Sequence, residues 1–510
     1  MEQNQIETTR TKRKEKIGLW LQNPYNVALV LILSFALVIR LYIFSITQNQ
    51  VLWWDEAGYL SQARAYVTNL PSGKMAGTEI IVPFFWGILY FLIPGEILQR
   101  LGQVVISFLI VFVTYYFGKK LFDRTTGLVA AFFVACNGIL LFYTGRLLLY
   151  LWPPLTITTL LFFFYKGYVL KQGVKYTYIS AFLLSFCTIL YSTSFLAVPI
   201  ILLFLFFTER FHFLKDREFW KPMTIGILPL ILYFIISQLT VGYIHPRFNF
   251  AQGVAGNTSS INFANIFAYF KLAPHMFGWL WIIILLMGLF FLLEIFLIFD
   301  MILKGKADEK HKSKLFVLIW FLVIAVFYSV YQLFARANDA FIMPIFPVIG
   351  IIIGNAISTM SKILKKYSKL LIILLLLFVL FAGYSQVNYG NKLVEAKITS
   401  YAQVKEAGIW MRDNSNPEDT ILSRSHPQNV FYSERETLIY PSTKEELDSL
   451  ILKEHPKYLV LSVFESHEPW LYNYPNNNSM LVPVQAYFAS PDQQQPLLVI
   501  YEIQYPINST

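Results

Sequence analysis

The feature that most constrains this chain is a series of long apolar segments that recur from residue 26 to residue 384. Each segment has close to the roughly 20 residues that an α-helix needs to cross a bilayer. Only 14% of the residues are charged, whereas soluble domains carry about 25%. Since a helix satisfies its own backbone polar groups in hydrocarbon, the sequence predicts a polytopic α-helical membrane protein.

Lysine and arginine are concentrated in short segments between alternate apolar runs, such as residues 10–16 and 304–314. Cationic loops are typical of the cytoplasmic side. We therefore expect an integral protein of the cell membrane, with residues 1–25 in the cytoplasm and the C-terminus outside. The net charge of +10 is interpreted as a topological signal, and no nucleic-acid partner is predicted.

Eleven transmembrane helices are predicted within residues 26–384, with external loops at about 47–98 and 243–276. An apolar piece of the first loop, IIVPFFWGILYFLIPG, contains two prolines and two glycines, which favours a re-entrant or interfacial helix. The predicted spans are 26–46, 100–117, 127–143, 155–166, 176–191, 195–207, 225–241, 277–301, 315–334, 341–357 and 370–384.

The composition changes after Tyr384, and residues 385–510 are predicted to form a small extracytoplasmic α/β domain. DTILSRS, KYLVLSVFE and LLVIYEI are typical of strands. YAQVKEAGIWMRDN has helical spacing, and a second helix is predicted behind a capping box formed by Ser442 and Glu445.

The first external loop opens with the stretch VLWWDEAGYL, in which Asp55 and Glu56 follow two tryptophans. In a helix, Asp55, Tyr59 and Gln62 share one face, and Glu56 is rotated away from it by about 100°. One interpretation is an interfacial helix whose acids are solvated or cap the helix. The other is a chemical site.

Cations on the predicted outer side favour the second interpretation. Arg40 lies in the outer half of the first span, and an arginine at that depth usually has a partner. A carboxylate pair among such cations suits an anionic lipid headgroup. Structural ion pairs for Arg40 and Arg336, and surface positions for the histidines, remain the alternatives. The cations are Arg40, Arg146, His245, Arg247, Lys271, His275 and Arg336.

Arg40 ahead of the acid pair, DEAGYLSQA, the R-L-x-Q run at Arg100 and AFIMPIFP together resemble the GT-C membrane glycosyltransferases. The resemblance covers most of residues 25–360 and is closest to the protein O-mannosyltransferase and aminoarabinose-transferase branch. It implies a polyprenyl- or dolichyl-phosphate sugar donor and an acceptor hydroxyl on a lipid, glycan or protein.

The same resemblance implies catalysis with inversion by Asp55 as general base, while Glu56 orients or binds sugar hydroxyls. The lipid phosphate is already a stable anion, so it needs cations rather than a proton. Arg336 and Arg146 are expected to contact that phosphate. The further candidates for substrate binding are Arg40, Tyr59, Gln62, His245 and Arg247.

The sequence departs from the family pattern at two positions. Many relatives carry a second acid about five residues after the arginine that corresponds to Arg146, but Leu151 stands here. The family's Lys-Pro-Pro run is replaced by IIVPFF, which leaves Lys74 as the substitute lysine. The missing acid argues against a divalent metal, and no cofactor is predicted.

Three rival hypotheses remain open. A lipid-sugar translocase would carry charges and broken helices near the midplane, where this sequence is almost free of ionisable groups apart from Glu294. An inactive scaffold with a partner-binding tail is compatible with the missing second acid. An oligosaccharide transferase would carry its WWD stretch in the soluble domain, whereas WWD occurs here in the first loop.

Overall fold

The computed structural model describes residues 19–73, 81–241, 263–304, 308–333, 338–489 and 494–505. The chain divides into two compact units. Unit 1 comprises Met1–Ser45, Gly102–Gly145 and Leu149–Glu395, and unit 2 comprises Ile46–Leu101, Arg146–Leu148 and Ala396–Thr510. The loop predicted at 47–98, called the first loop below, thus belongs to the same unit as the C-terminal tail.

Long apolar helices make up unit 1, and two of them, α1 and α4, begin or end in unit 2. The helices are α1 (Pro24–Thr47), α4 (Ile97–Leu121), α5 (Arg124–Cys136), α6 (Gly138–Thr144), α7 (Trp152–Phe164), α8 (Val174–Leu190), α9 (Ala197–Glu209), α10 (Arg217–Val241), α11 (Ala268–Phe277), α12 (Trp279–Leu292), α13 (Glu294–Leu297), α14 (Phe299–Leu303), α15 (Glu309–Tyr331), α16 (Phe346–Leu364) and α17 (Lys369–Glu395).

The polytopic architecture predicted from the apolar runs is confirmed. Within the described residues, eight helical segments are long and apolar enough to span a membrane, and the bent pair α5 and α6 makes a ninth. The predicted spans 155–166 and 176–191 also form helices, but α7 and α8 are too short to be counted as complete membrane spans. The described residues therefore contain eight or nine helices of spanning length, whereas the sequence predicts eleven.

Close approach between helices of unit 1 depends on small residues. A Cβ atom on Gly354 of α16 would lie 2.3 Å from the carbonyl oxygen of Thr126 in α5. Lipid tails are as apolar as side chains, so membrane helices gain their packing energy from such close contacts. A side chain at Gly354 would therefore separate α16 from α5.

Unit 2 contains two helices of the first loop, α2 (Trp54–Ala65) and α3 (Ile81–Leu92), and the tail. Helix α3 is the predicted re-entrant or interfacial helix, and at 12 residues it is shorter than a typical span. The tail elements are α18 (Ala402–Asp413), β1 (Ile421–Ser423), α19 (His426–Ser433), β2 (Thr437–Leu438), α20 (Lys444–Glu454), β3 (Tyr458–Ser462), β4 (Leu481–Tyr487) and β5 (Leu498–Ile503).

The tail forms one five-stranded sheet in the order β2-β1-β3-β5-β4. Strands β2, β1 and β3 are parallel, with Ile421 opposite Tyr458, and β5 runs antiparallel to both β3 and β4. Leu447 of α20 packs with Leu459 on one face, and Val404 of α18 packs with Val460 on the other. The parallel strands are apolar without alternation because both faces are covered.

The three strands and two helices predicted for the tail are present as β1, β3, β5, α18 and α20. The predicted capping box is wrong by one residue, because the side chain of Thr443, not Ser442, accepts a hydrogen bond, from the amide of Glu446. No pattern in the sequence indicated β2, β4 or α19. Helix α17 continues to Glu395, past the predicted domain boundary at 384/385.

Candidate functional site

Helix α2 begins within the WWDE stretch, and Glu56 holds its first turn. The amide of Trp53 donates to Glu56 Oε2 at 2.6 Å. A side chain at the third helical position that reaches back to the cap residue's amide is one half of a capping box. The amides at a helix start have no partner within the helix, so this contact fixes where α2 begins.

The carboxylate of Glu56 is fully buried and has donors on both oxygens. The amide of Leu147 donates to Oε1 at 2.6 Å, and Arg146 Nη1 lies 3.3 Å from Oε2. The side chain of Arg146 is only 1% exposed. A buried carboxylate is stable only when it is paired and hydrogen-bonded. Glu56 therefore joins the first loop to the segment Arg146–Leu148.

The guanidinium of Arg146 is enclosed within unit 2. Its central carbon lies 3.7 Å from the centroid of the Trp53 ring, a close cation–π contact. It also donates to the carbonyl oxygens of Val51 at 3.3 Å and Lys397 at 3.4 Å. These contacts and Glu56 hold the guanidinium of Arg146 in the interior of unit 2, so Arg146 is not an exposed cation.

Asp55 differs from its neighbour, because its side chain is exposed while Glu56 is buried. The two residues are rotated by about 100° on the same helical turn, so anchoring Glu56 inside the unit directs Asp55 outward. The sequence alone placed both acids at the site. The structure separates them into an anchored carboxylate and an accessible one.

Asp55, Tyr59 and Gln62, which the sequence predicts on one helix face, differ in their exposure to solvent. Tyr59 is buried and packs edge-on against Trp86, with ring centroids 6.4 Å apart. Gln62 is also buried, and its Nε2 donates to the hydroxyl of Tyr66 at 2.7 Å. Both side chains therefore pack within unit 2, and Asp55 alone of the three is exposed.

Arg40 is completely buried in unit 1, where neutral oxygens accept its hydrogen bonds. Nε donates to Ser107 Oγ at 2.8 Å. The other guanidinium nitrogens donate to the carbonyl oxygens of Ala36, Ala135 and Val134 at 3.1, 3.3 and 3.4 Å. These contacts are consistent with a structural role for Arg40, which the sequence left as an alternative. The expected ion pair is replaced by hydrogen bonds to a hydroxyl and to backbone carbonyls.

Arg336, His245, Arg247 and Lys74 lie outside the described residues, so their proposed roles stay predictions. Among the residues that are described, no group of three or more His, Cys, Asp or Glu side chains could hold a metal ion. Both cysteines, Cys136 and Cys187, are buried free thiols.

Helix α19 of the tail binds the first loop on either side of Asp55, a contact that no sequence pattern indicated. The amide of Leu52 donates to the hydroxyl of Tyr432 at 2.8 Å, and Gln428 donates to the carbonyl of Leu52 at 2.9 Å. Arg64, near the other end of α2, donates to the last carbonyls of α19, those of Val430 and Phe431. A cation at a helix C-terminus is also favoured by the helix dipole.

No local sequence signal connects these partners, since Leu52 and Tyr432 are 380 residues apart. Burial raises the pKa of Tyr432 well above its usual range, and its hydroxyl oxygen accepts from the amide of Leu52. The start of the WWDE stretch is thus fixed by the tail through α19.

Comparison with solved structures identifies proteins of the same architecture. ArnT from Cupriavidus metallidurans, bound to undecaprenyl phosphate, matches with a TM-score of 0.64 at 13% identity, over 93% of this chain and 97% of that chain. The oligosaccharyltransferase of Archaeoglobus fulgidus in the apo form matches with a TM-score of 0.58 at 13% identity, over 85% and 69%.

The archaeal oligosaccharyltransferase AglB from the same organism, in complex with an inhibitory peptide and a dolichol-phosphate, gives a TM-score of 0.60 at 15% identity over the same shares. These proteins are GT-C glycosyltransferases. This chain has the GT-C fold. The resemblance recognised from its motifs is thus confirmed for the architecture, and identities this low establish the fold alone. No protein-family model matches the sequence, and no curated protein matches it significantly.

Proposed function

We propose that this protein is a membrane glycosyltransferase that transfers a sugar from a polyprenyl-phosphate donor to an acceptor hydroxyl at the outer face of the cell membrane. The observation that carries the proposal is the pair at the start of α2, in which a buried, arginine-bound Glu56 presents an exposed Asp55. The GT-C fold supports it, as do the lipid phosphates bound by ArnT and AglB.

In this proposal Asp55 is the general base. An acceptor hydroxyl is a weak nucleophile at neutral pH, and a carboxylate that removes its proton in the transition state accelerates attack by roughly 10² to 10⁴. The acceptor oxygen forms the new bond to the anomeric carbon as the bond to the phosphate oxygen breaks. The electron pair leaves on the lipid phosphate, the proton goes to Asp55, and a single displacement inverts the anomeric centre.

Glu56 acts differently in this proposal from what the sequence suggested. Both of its oxygens already accept hydrogen bonds from Leu147, Trp53 and Arg146, so Glu56 positions α2 and does not bind sugar hydroxyls. Arg146 has the matching role of neutralising Glu56. The leaving phosphate would then depend on other cations, and Arg336 remains the proposed ligand.

The test uses purified full-length protein, a panel of polyprenyl-phosphate sugars, and measurement of sugar transfer or release. Asp55→Asn should lower turnover by roughly 100-fold or more while leaving donor binding intact. A matched control is Glu445→Gln, which alters an exposed first-turn acid of α20 and should leave turnover unchanged.

Near-normal turnover by a folded Asp55→Asn protein would remove Asp55 from the role of base. If wild-type protein released sugar from no donor but moved a polyprenyl-phosphate sugar between leaflets of a vesicle, the translocase hypothesis would replace the transferase. If it bound no donor at all, the scaffold hypothesis would be favoured.

A further inference from the structure

A carboxylate in unit 1, Asp339, lies among aromatic side chains in the turn between α15 and α16. Its Oδ1 accepts a hydrogen bond from the hydroxyl of Tyr143 at 3.1 Å. Asp339 is half-buried, and among the described residues no lysine, arginine or histidine lies within ion-pair distance of it. Burial raises the pKa of this carboxyl above its usual value, because the charged form is less well solvated in the protein than in water.

Two other acids of unit 1 have a cation partner, whereas Glu209, like Asp339, accepts from a tyrosine hydroxyl, that of Tyr168. Asp123 lies 2.6 Å from the amine of Lys362, and Glu294 is paired with Lys314. A partly desolvated carboxylate without such a cation is costly to maintain. A partly buried carboxylate in the turn between two membrane helices, with no cation within ion-pair distance among the described residues, is a candidate functional residue.

Aromatic rings form a continuous group around this carboxylate. Tyr143 contacts Tyr150 at a centroid distance of 5.6 Å, Tyr150 contacts Phe341 at 5.7 Å, and Phe341 contacts Tyr331 at 6.2 Å. Tyr269 completes the group, because its hydroxyl donates to the carbonyl of Asn338 at 2.9 Å.

These rings differ in accessibility. Tyr143 is buried, whereas Tyr150, Tyr331 and Phe341 are each partly exposed. The group therefore presents apolar ring surface next to a carboxylate, which offers about four lone-pair sites. Three hydrogen bonds, from the Tyr143 hydroxyl and the backbone of Asp339 and Ala340, already act on it, which leaves room for one more donor. A sugar ring has the complementary chemistry, with hydroxyl donors on its edge and C–H groups on its faces.

The position in the chain also favours a substrate role. In the chain, Tyr143 and Tyr150 flank Arg146–Leu148, the segment that binds Glu56. The fold thus brings a carboxylate from residue 339 to the hydroxyl of Tyr143, a distance of 196 residues along the chain.

We propose that Asp339 and the aromatic residues around it form the subsite that recognises the donor sugar, an assignment that rests on the proposed transferase function. The Asp339 carboxylate accepts a hydrogen bond from a sugar hydroxyl, Tyr143 orients that carboxylate, and the exposed rings pack against the C–H face of the sugar. Asp339 is a specificity-determining residue and takes no proton in the reaction.

The experiment compares two kinds of ligand on full-length protein in nanodiscs: polyprenyl phosphate without a sugar, and polyprenyl phosphates that carry glucose, galactose, mannose, N-acetylglucosamine or aminoarabinose. For the sugar-bearing ligand that wild type binds best, Asp339→Asn should weaken binding by about tenfold or more, because a hydrogen bond to a charged acceptor is lost. Affinity for the sugar-free phosphate should stay within twofold of wild type, because this ligand has no sugar hydroxyl that could donate to Asp339.

Tyr143→Phe should weaken sugar-dependent binding in the same direction by a smaller factor. Asp123→Asn is the matched control, because it removes an ion-paired acid of the same unit, and it should leave the preference for sugar-bearing ligands unchanged.

Equal loss for both kinds of ligand, or no loss for either, would overturn the assignment of Asp339. The same holds if wild type bound the sugar-free phosphate as tightly as every sugar ester, because no sugar would then be recognised. If wild type bound no polyprenyl phosphate of either kind, the proposed function itself would fail, and the subsite with it.

Discussion

Each unit contains a deeply buried arginine, and the two are accommodated in different ways. Arg40 of unit 1 donates to a serine hydroxyl and three carbonyl oxygens, whereas Arg146 of unit 2 faces the carboxylate of Glu56. A guanidinium held by neutral dipoles can be removed without leaving a charge behind. One held by a buried carboxylate cannot, so the unit with the candidate base depends on its ion pair.

The largest expected effect follows from breaking that ion pair. Arg146→Met should lower the free energy of unfolding by about 3–5 kcal/mol, because Glu56 is left as an uncompensated buried charge. Thermal unfolding of the detergent-solubilised protein checks this loss. The double variant Glu56→Gln with Arg146→Met removes both charges and should unfold at a higher temperature than Arg146→Met alone. A double variant that is no more stable than the single one would show that the charge of Glu56 is not the cause.

The second prediction concerns Arg40. Arg40→Met should cost about 1–3 kcal/mol, since its partners are neutral oxygens and the loss is that of ordinary hydrogen bonds. Donor affinity, measured with a polyprenyl-phosphate sugar, should remain at the wild-type value because the arginine is fully buried. A destabilisation as large as that of Arg146→Met would remove the distinction between the two arginines, and a selective loss of donor affinity would return Arg40 to the substrate site.

The smallest effect is expected at the contact between the tail and the first loop. Tyr432→Phe removes the acceptor of the Leu52 amide and should cost about 1 kcal/mol of stability. Turnover should fall by more than the small loss of folded protein explains, because the segment before Asp55 loses the hydrogen bond that positions it. Tyr440→Phe is the matched control, since it removes a buried hydroxyl that contacts His467 elsewhere in the tail. Equal turnover in the two variants would make the Tyr432 contact purely structural.

The class of the protein and much of its local structure can be predicted from the amino-acid sequence. Apolar runs of helical length specified the membrane helices, because hydrocarbon accepts little else. Short apolar runs such as KYLVLSVFE specified the central strands of the tail because both sheet faces are buried there. Arg40, the DEAGYLSQA stretch, the R-L-x-Q run at Arg100 and AFIMPIFP together were sufficient to recognise the GT-C architecture. These features depend on residues that are close together in the chain, and so they can be predicted from one sequence.

Which charged groups are available for chemistry depends on how the chain packs. Asp55 and Glu56 are adjacent and chemically alike, and their different fates depend on Arg146 and the amide of Leu147, about 90 residues away. The roles of Tyr432 and Asp339 likewise arise from contacts across 380 and 196 residues. Burial and pairing set the free energy of a charge, and both are properties of the packed chain. Local sequence cannot specify them, because the partners are chosen only when distant segments come together.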